Sequence, residues 1–242
     1  LVLSSNTTGI QNSVFGYGSM KLNTIGVRNS AFGYGVMVQN VSGSNNTAVG
    51  FQALYYNTTN DNSAFGYKAL FANTTGTYNT AVGRSSLANT IGTYNTAVGY
   101  NSLTANTTGS YNSAFGLGAL GNNTTGINNT AVGHQALYYN TIGTNNSAFG
   151  LESLLSNTTG VKNVAVGRSA LQGNTIGASN SAFGYRALRY NTIGTNNNAF
   201  GQNALFSNTT GTHNVAFGRD ALSSNTIGTN NCAFGSYALT SN

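Results

Sequence analysis

The sequence predicts an all-β fold, a parallel β-solenoid of about fourteen 17-residue coils. Three observations carry that expectation. Residue identities recur at a fixed period, as in "NTTGINNTAVGHQALYY" (123–139) followed by "NTIGTNNSAFGLESLLS" (140–156). Charged residues make up 5% of the chain, against about 25% in ordinary globular proteins, while Asn, Thr and Gly abound and Pro and Trp are absent. The period is also too short for paired helices, whose repeats run about 33–47 residues and need stretches free of Gly.

The repeat reads N-T-[T/I]-G-x-x-N-[S/T]-A-[F/V]-G-x-x-[A/S]-L-x-x. An opening Asn recurs at Asn6, Asn23, Asn40, Asn57, Asn73, Asn89, Asn106, Asn123, Asn140, Asn157, Asn174, Asn191, Asn208, Asn225 and Asn242. The spacing is 17 except for two intervals of 16, from 57 to 73 and from 73 to 89. The first shortening is placed in the turn "NTTNDN" and the second between Leu87 and Asn89. A second Asn column runs through Asn12, Asn29, Asn46, Asn62, Asn79, Asn95, Asn112, Asn129, Asn146, Asn163, Asn180, Asn197, Asn214 and Asn231. An unbroken Gly column follows it from Gly16 to Gly235, and a large apolar column runs from Met20 and Met37 through Leu54 to Leu239. The charged residues all fall in variable columns, among them Arg84, Arg168 and Arg219 directly after the Gly column and Lys68, Glu152 and Arg186 one position further on; these are expected to face water.

Each coil is expected to hold two short strands and two turns. N-S-A-F and A-L-x-x supply the strand-like content, and Gly and Asn, which tolerate positive φ, mark the turns. Stacking at about 4.8 Å would give a rod of roughly 65–70 Å. Like residues would then line up along it: Asn amides bonding to Asn amides, and a Leu row filling the interior. Ala and Phe/Val are adjacent in the strand segment, as in Ala31-Phe32, Ala48-Val49 and Ala114-Phe115, so one of them must face outward. An outward Phe/Val row would be an apolar stripe of the kind that marks an interface, and an outward Ala row a smooth face suited to close approach. Either predicts side-by-side packing of chains. The whole of 1–242 reads as a single repeat domain and as a fragment of a longer fibre, because the repeat is already running by Asn6.

No catalytic constellation emerges, and the chain is not expected to be an enzyme. Asp61, Glu152, Asp220, His134 and His213 lie coils apart, without the pairing that acid–base catalysis or metal binding needs. No metal and no cofactor is expected. Cys232 replaces the Ser or Thr of its column as a small-residue swap. The net charge of +6 is spread without a basic run, so nucleic acid is not an expected partner, and no apolar stretch approaches a membrane span. Sequons open at Asn6, Asn40, Asn57, Asn73, Asn106, Asn123, Asn157 and Asn208 and are candidate glycosylation sites. Ice binding is weakly supported, because the residue two after the column Thr is Gly. Exposed aromatics, among them Tyr17, Tyr34, Phe51, Tyr67, Tyr100, Tyr185 and the pairs Tyr55-Tyr56 and Tyr138-Tyr139, suit either a carbohydrate or surface partner or packing within a fibre.

The segments "NNTAVGHQAL", "YNTAVGYNSL" and "NSAFGYKAL" resemble the repeats of bacterial surface adhesins and of phage or large-virus tail fibres. They are similar, more loosely, to the head repeats of trimeric autotransporter adhesins, whose coil is shorter and has one more residue between the Asn and the Gly. The resemblance implies a β-roll that self-associates as a trimer, sits on a cell or virion surface, and acts as an adhesive head or stiff shaft. The expected function is therefore that of an extracellular structural fibre or adhesin. A self-assembling end-to-end filament subunit is the alternative, with ice-binding and glycan-binding solenoids behind it.

Overall fold

The computed structural model describes residues 2–241, so Leu1 and Asn242, the latter opening a fifteenth repeat, lie outside the described residues. The fold is an all-β parallel β-solenoid with one three-residue strand per coil and no helix among the described residues. The chain divides into two compact units, one running to Gly118 with Asn122–Thr125 added, the other comprising Ala119–Gly121 and the residues from Gly126. In the first unit β1 (Ser13–Phe15) pairs with β2 (Ser30–Phe32), and parallel pairing continues coil by coil to β7 (Ser113–Phe115). In the second, β8 (Thr130–Val132) pairs with β9 (Ser147–Phe149), and the series continues through β10 (Val164–Val166) and β11 (Ser181–Phe183) to β14 (Cys232–Phe234). Register is fixed by identity: the middle residue of each strand, Ala in every coil but the first, sits beside the middle residue of the next.

The A-L-x-x segment is not a second strand. Its Leu adopts a left-handed backbone throughout, with φ of 50° at Leu154 and 51° at Leu171 and Leu188. The reason is burial. Ala170 and Leu171, like Ala187 and Leu188, are adjacent and both fully buried, which an extended strand forbids because neighbours point to opposite faces. A left-handed residue turns the backbone so that both side chains point inward. A non-Gly residue in that region costs about 1–3 kcal/mol, and full burial of a Leu side chain offsets it with about 1.5–3 kcal/mol. Cross-coil hydrogen bonds continue outside the strands, as from Leu154 N to Ala170 O at 3.0 Å and from Leu171 N to Ala187 O at 3.0 Å. The Gly column is forced twice over: Gly150 has φ of 132°, and a Cβ there would lie 2.7 Å from the Gly167 carbonyl oxygen.

The interior holds Ala, Leu and two rows of Asn. In the second row, Asn163 Nδ2 donates to Asn146 Oδ1 at 3.2 Å and to Gly177 O at 2.8 Å, and Asn163 N donates to the same Asn146 Oδ1 at 3.0 Å. In the opening row, Asn174 Nδ2 donates to Asn157 Oδ1 at 2.9 Å and to Gly177 O at 3.0 Å. Both rows therefore converge on one turn carbonyl, and the geometry recurs at Gly26, Gly160 and Gly194. Asn29 through Asn214 of the second row are buried, while Asn12 and Asn231 are half-exposed.

The opening row departs from the sequence reading at one position. Asn89 is exposed and donates to Thr104 O at 3.2 Å, whereas Thr90 is fully buried in the row. Asn106 Nδ2 donates to Thr90 Oγ1 at 3.0 Å, as does Gly92 N at 3.0 Å. The second shortening therefore does not lie between Leu87 and Asn89. It lies in 90–95, the same turn of the coil that 57–62 shortens. In that earlier turn the Thr59 carbonyl stands where other coils have Gly, accepting from Asn46 Nδ2 at 2.7 Å and from Asn57 Nδ2 at 2.8 Å. Both deletions fall where the chain only has to span between two Asn rows, which is why the stack tolerates them.

Candidate assembly interface

Every strand after the first buries its middle residue and turns its first and last residues outward, and Val14 in the first strand is half-exposed. Ala is therefore the inward residue, and Phe or Val forms the outward row. Phe65, Phe115 and Phe149 are 40%, 41% and 40% exposed, and Phe15, Phe32, Val49, Val82, Val132, Phe183, Phe217 and Phe234 are exposed as well. In the second unit Phe183, Phe200, Phe217 and Phe234 stack ring on ring, beginning at 4.8 Å between centroids and 5° between planes. Each unit thus carries an apolar stripe along the open face of its sheet, of a kind that marks an interaction surface.

The same face carries a volume pattern. Where the last strand residue is Phe, the first is small: Ser13/Phe15, Ser30/Phe32, Ser63/Phe65, Ser113/Phe115, Ser147/Phe149, Ser181/Phe183 and Cys232/Phe234. Where the last is Val, the first is β-branched: Thr47/Val49, Thr80/Val82, Thr96/Val98, Thr130/Val132 and Val164/Val166. Asn198/Phe200 and Val215/Phe217 depart from the pattern.

Beside the stripe, directly after the Gly column, runs a second row. Tyr17, Tyr34, Phe51 and Tyr67 stack at 5.3–5.4 Å. Arg84 continues the row in place of a ring, its guanidinium 5.4 Å from the Tyr67 centroid and 5.8 Å from that of Tyr100. Arg84, Arg168 and Arg219 are exposed. Lys68, Glu152 and Arg186, one position further along, are only half-exposed, with Lys68 near the rings of Tyr67 and Phe71 and Arg186 over Tyr185 at 4.7 Å. Tyr55 and Tyr56, and likewise Tyr138 and Tyr139, meet edge-to-face on the turn after the Leu row.

The remaining polar residues stay apart. Glu152 accepts from Gln172 Nε2 at 2.8 Å, and Asp61 accepts from Asn45 Nδ2 at 3.1 Å. Asp220 accepts from Asn203 Nδ2 at 2.9 Å and pairs with Arg219 at 3.1 Å. His134 is exposed, and His213 lies on a turn with a ring nitrogen 3.3 Å from Asn196 Nδ2. No group of three or more His, Cys, Asp or Glu among the described residues could hold a metal ion. Cys232 is free and exposed.

Of the sequon residues, Asn40, Asn57, Asn73, Asn106, Asn123, Asn157 and Asn208 are fully buried, and each donates its Nδ2, the atom a glycan would occupy, within the solenoid. A glycan there would require the residue to leave its row. Asn6 is exposed, though its Nδ2 donates to Gly9 O at 2.9 Å. The Thr after the opening Asn is committed too: Thr158 Oγ1 donates to Thr175 O and Thr175 Oγ1 to Thr192 O, each at 3.1 Å, which takes the hydroxyl hydrogens out of any water-ordering array. Neither a protein-family model nor a curated protein sequence matches the chain significantly.

Proposed function

We propose that this chain is part of an extracellular structural fibre or adhesin shaft, whose coils pack side by side with further copies of the same chain, as a trimer. Its work is mechanical and interfacial rather than chemical. The volume pattern on the open sheet face carries the proposal. Side chains two apart on a strand stand about 6.6 Å apart. In open solvent a Ser-to-Thr change at the first position calls for no reply from the last. The reply, Phe giving way to Val, is what a closed volume above both positions requires, since packed interiors resist both voids and overfilling. The surface closing that volume must stand off at a constant distance and repeat at the inter-strand spacing. A second copy of this chain has that period and the same apolar row.

Light scattering after size exclusion tests this on residues 1–242. The expected mass is three times the 24.9 kDa of one chain. Ser147→Thr, which adds a methyl beside Phe149, is expected to weaken the assembly, and Ser147→Thr with Phe149→Val to restore it. A monomer whose stability ignores both changes would overturn the lateral reading, and open-ended polymers would favour the end-to-end filament in its place.

A further inference from the structure

A different column carries a chemistry that lateral packing does not use. Tyr78, Tyr94 and Tyr111 occupy the last position of the turn between the two Asn rows, with φ of 58°, 58° and 59°. Their rings stack face to face, 4.9 Å apart at 8° and 5.0 Å apart at 5°. They are 51%, 47% and 57% exposed, so a small oxidant reaches all three. The turn that carries Tyr94 is unusual in the chain, because 90–95 is one residue short and its row residue is Thr90 rather than Asn. No disulfide can brace these coils, since the only Cys is Cys232. Equivalent turn positions on one backbone conformation hold the rings parallel and within van der Waals reach of one another.

We infer that the Tyr78–Tyr94–Tyr111 column is a site of oxidative cross-linking, forming a dityrosine staple between successive coils. The co-reactant is hydrogen peroxide with a one-electron oxidation catalyst of the peroxidase class. Each of two neighbouring phenols gives up one electron and one proton. The two phenoxyl radicals join through their ortho carbons, and the two ring hydrogens at the new bond move to the oxygens, restoring both phenols. The pair loses two hydrogens in all, and one hydrogen peroxide takes them up to become two waters. Tyr94 is the branch point, able to couple to either neighbour. The staple would lie within one chain and close a loop of one coil.

The test is to treat residues 1–242 with peroxidase and hydrogen peroxide, then read dityrosine fluorescence and map linked peptides by mass spectrometry. Tyr17 and Tyr34, stacked at 5.4 Å, are the positive control. Tyr100, Tyr190 and Tyr237 are comparably exposed but contact Arg or Phe rather than a Tyr of the next coil, and serve as negative controls. Links of Tyr94 to Tyr78 or Tyr111 within one chain are expected to dominate, with several-fold less product at Tyr100, Tyr190 and Tyr237. Tyr94→Phe should remove these links while keeping the stack, as Phe51 does between Tyr34 and Tyr67, and should leave the Tyr17–Tyr34 link intact. Links spread evenly over exposed Tyr residues, or links only between chains, would overturn the inference. So would a yield at this column unchanged by Tyr94→Phe.

Discussion

At the scale of single residues, the Asn rows do what a small apolar core could not. Asn163 gives its amide to Asn146 Oδ1 and Gly177 O, and its own Oδ1 accepts from Asn180 N at 3.0 Å and Asn180 Nδ2 at 3.2 Å. One side chain thus satisfies two backbone groups of the following coil and bonds to the row Asn of the preceding one, and it is fully buried. Removing it strands the Asn180 backbone N–H away from water, at about 1–3 kcal/mol, and takes one of their hydrogen bonds from Asn146 Oδ1, Gly177 O and Asn180 Nδ2, at about 0.5–1.5 kcal/mol each. Asn163→Ala is therefore expected to lower stability by about 2–5 kcal/mol, read as a shift in the denaturation midpoint. Gln202→Ala, at an exposed position after the Gly column, is the comparison and should stay within about 0.5 kcal/mol. Equal effects would mean that the row amides find water when the chain is folded, and the burial argument would fail.

At the scale of the element, the coil was legible in the sequence where one residue type has one job. The Leu row is apolar and evenly spaced, and the Gly row has no side chain to lose, so both could be placed without coordinates. The left-handed Leu was not legible, because apolar periodicity reports burial and not φ. The frame at 89–90 was misread for a related reason. Asn89 carries the expected letter, but what fixes the frame is distance from the buried Leu, and Thr90 stands three residues after Leu87 as Asn57 does after Leu54 and Asn106 after Leu103. The paired change of Ser with Phe and Thr with Val was present in the sequence all along. It became meaningful only once Ala was seen to point inward and both flanking residues outward. The corrected frame predicts that Thr90→Val, which deprives Gly92 N of its acceptor and Asn106 Nδ2 of one of its two, destabilises by about 1–3 kcal/mol. Asn89→Ser should change stability by less than about 0.5 kcal/mol, since Asn89 is exposed. The opposite ranking in a thermal melt would return Asn89 to the row.

At the scale of the whole molecule, the consequence of repetition is that stability is local. Each coil is held by its two neighbours through the strand pairing, the Asn rows and the Leu row, and repeat proteins of this kind behave as chains of nearest-neighbour interactions. A defect at Asn163 should therefore loosen the coils it bonds to and leave distant ones as they were. Hydrogen exchange reads this directly. In Asn163→Ala, protection is expected to fall at the amides of Ser147, Val164 and Ser181, which donate to Asn163 O, Asn180 O and Asn197 O at 2.8 Å each. It should hold at Ser30, Thr47 and Ser63 in the first unit, whose amides donate to Asn46 O, Asn62 O and Asn79 O. A uniform loss at all six amides would show that the coils unfold as one cooperative body.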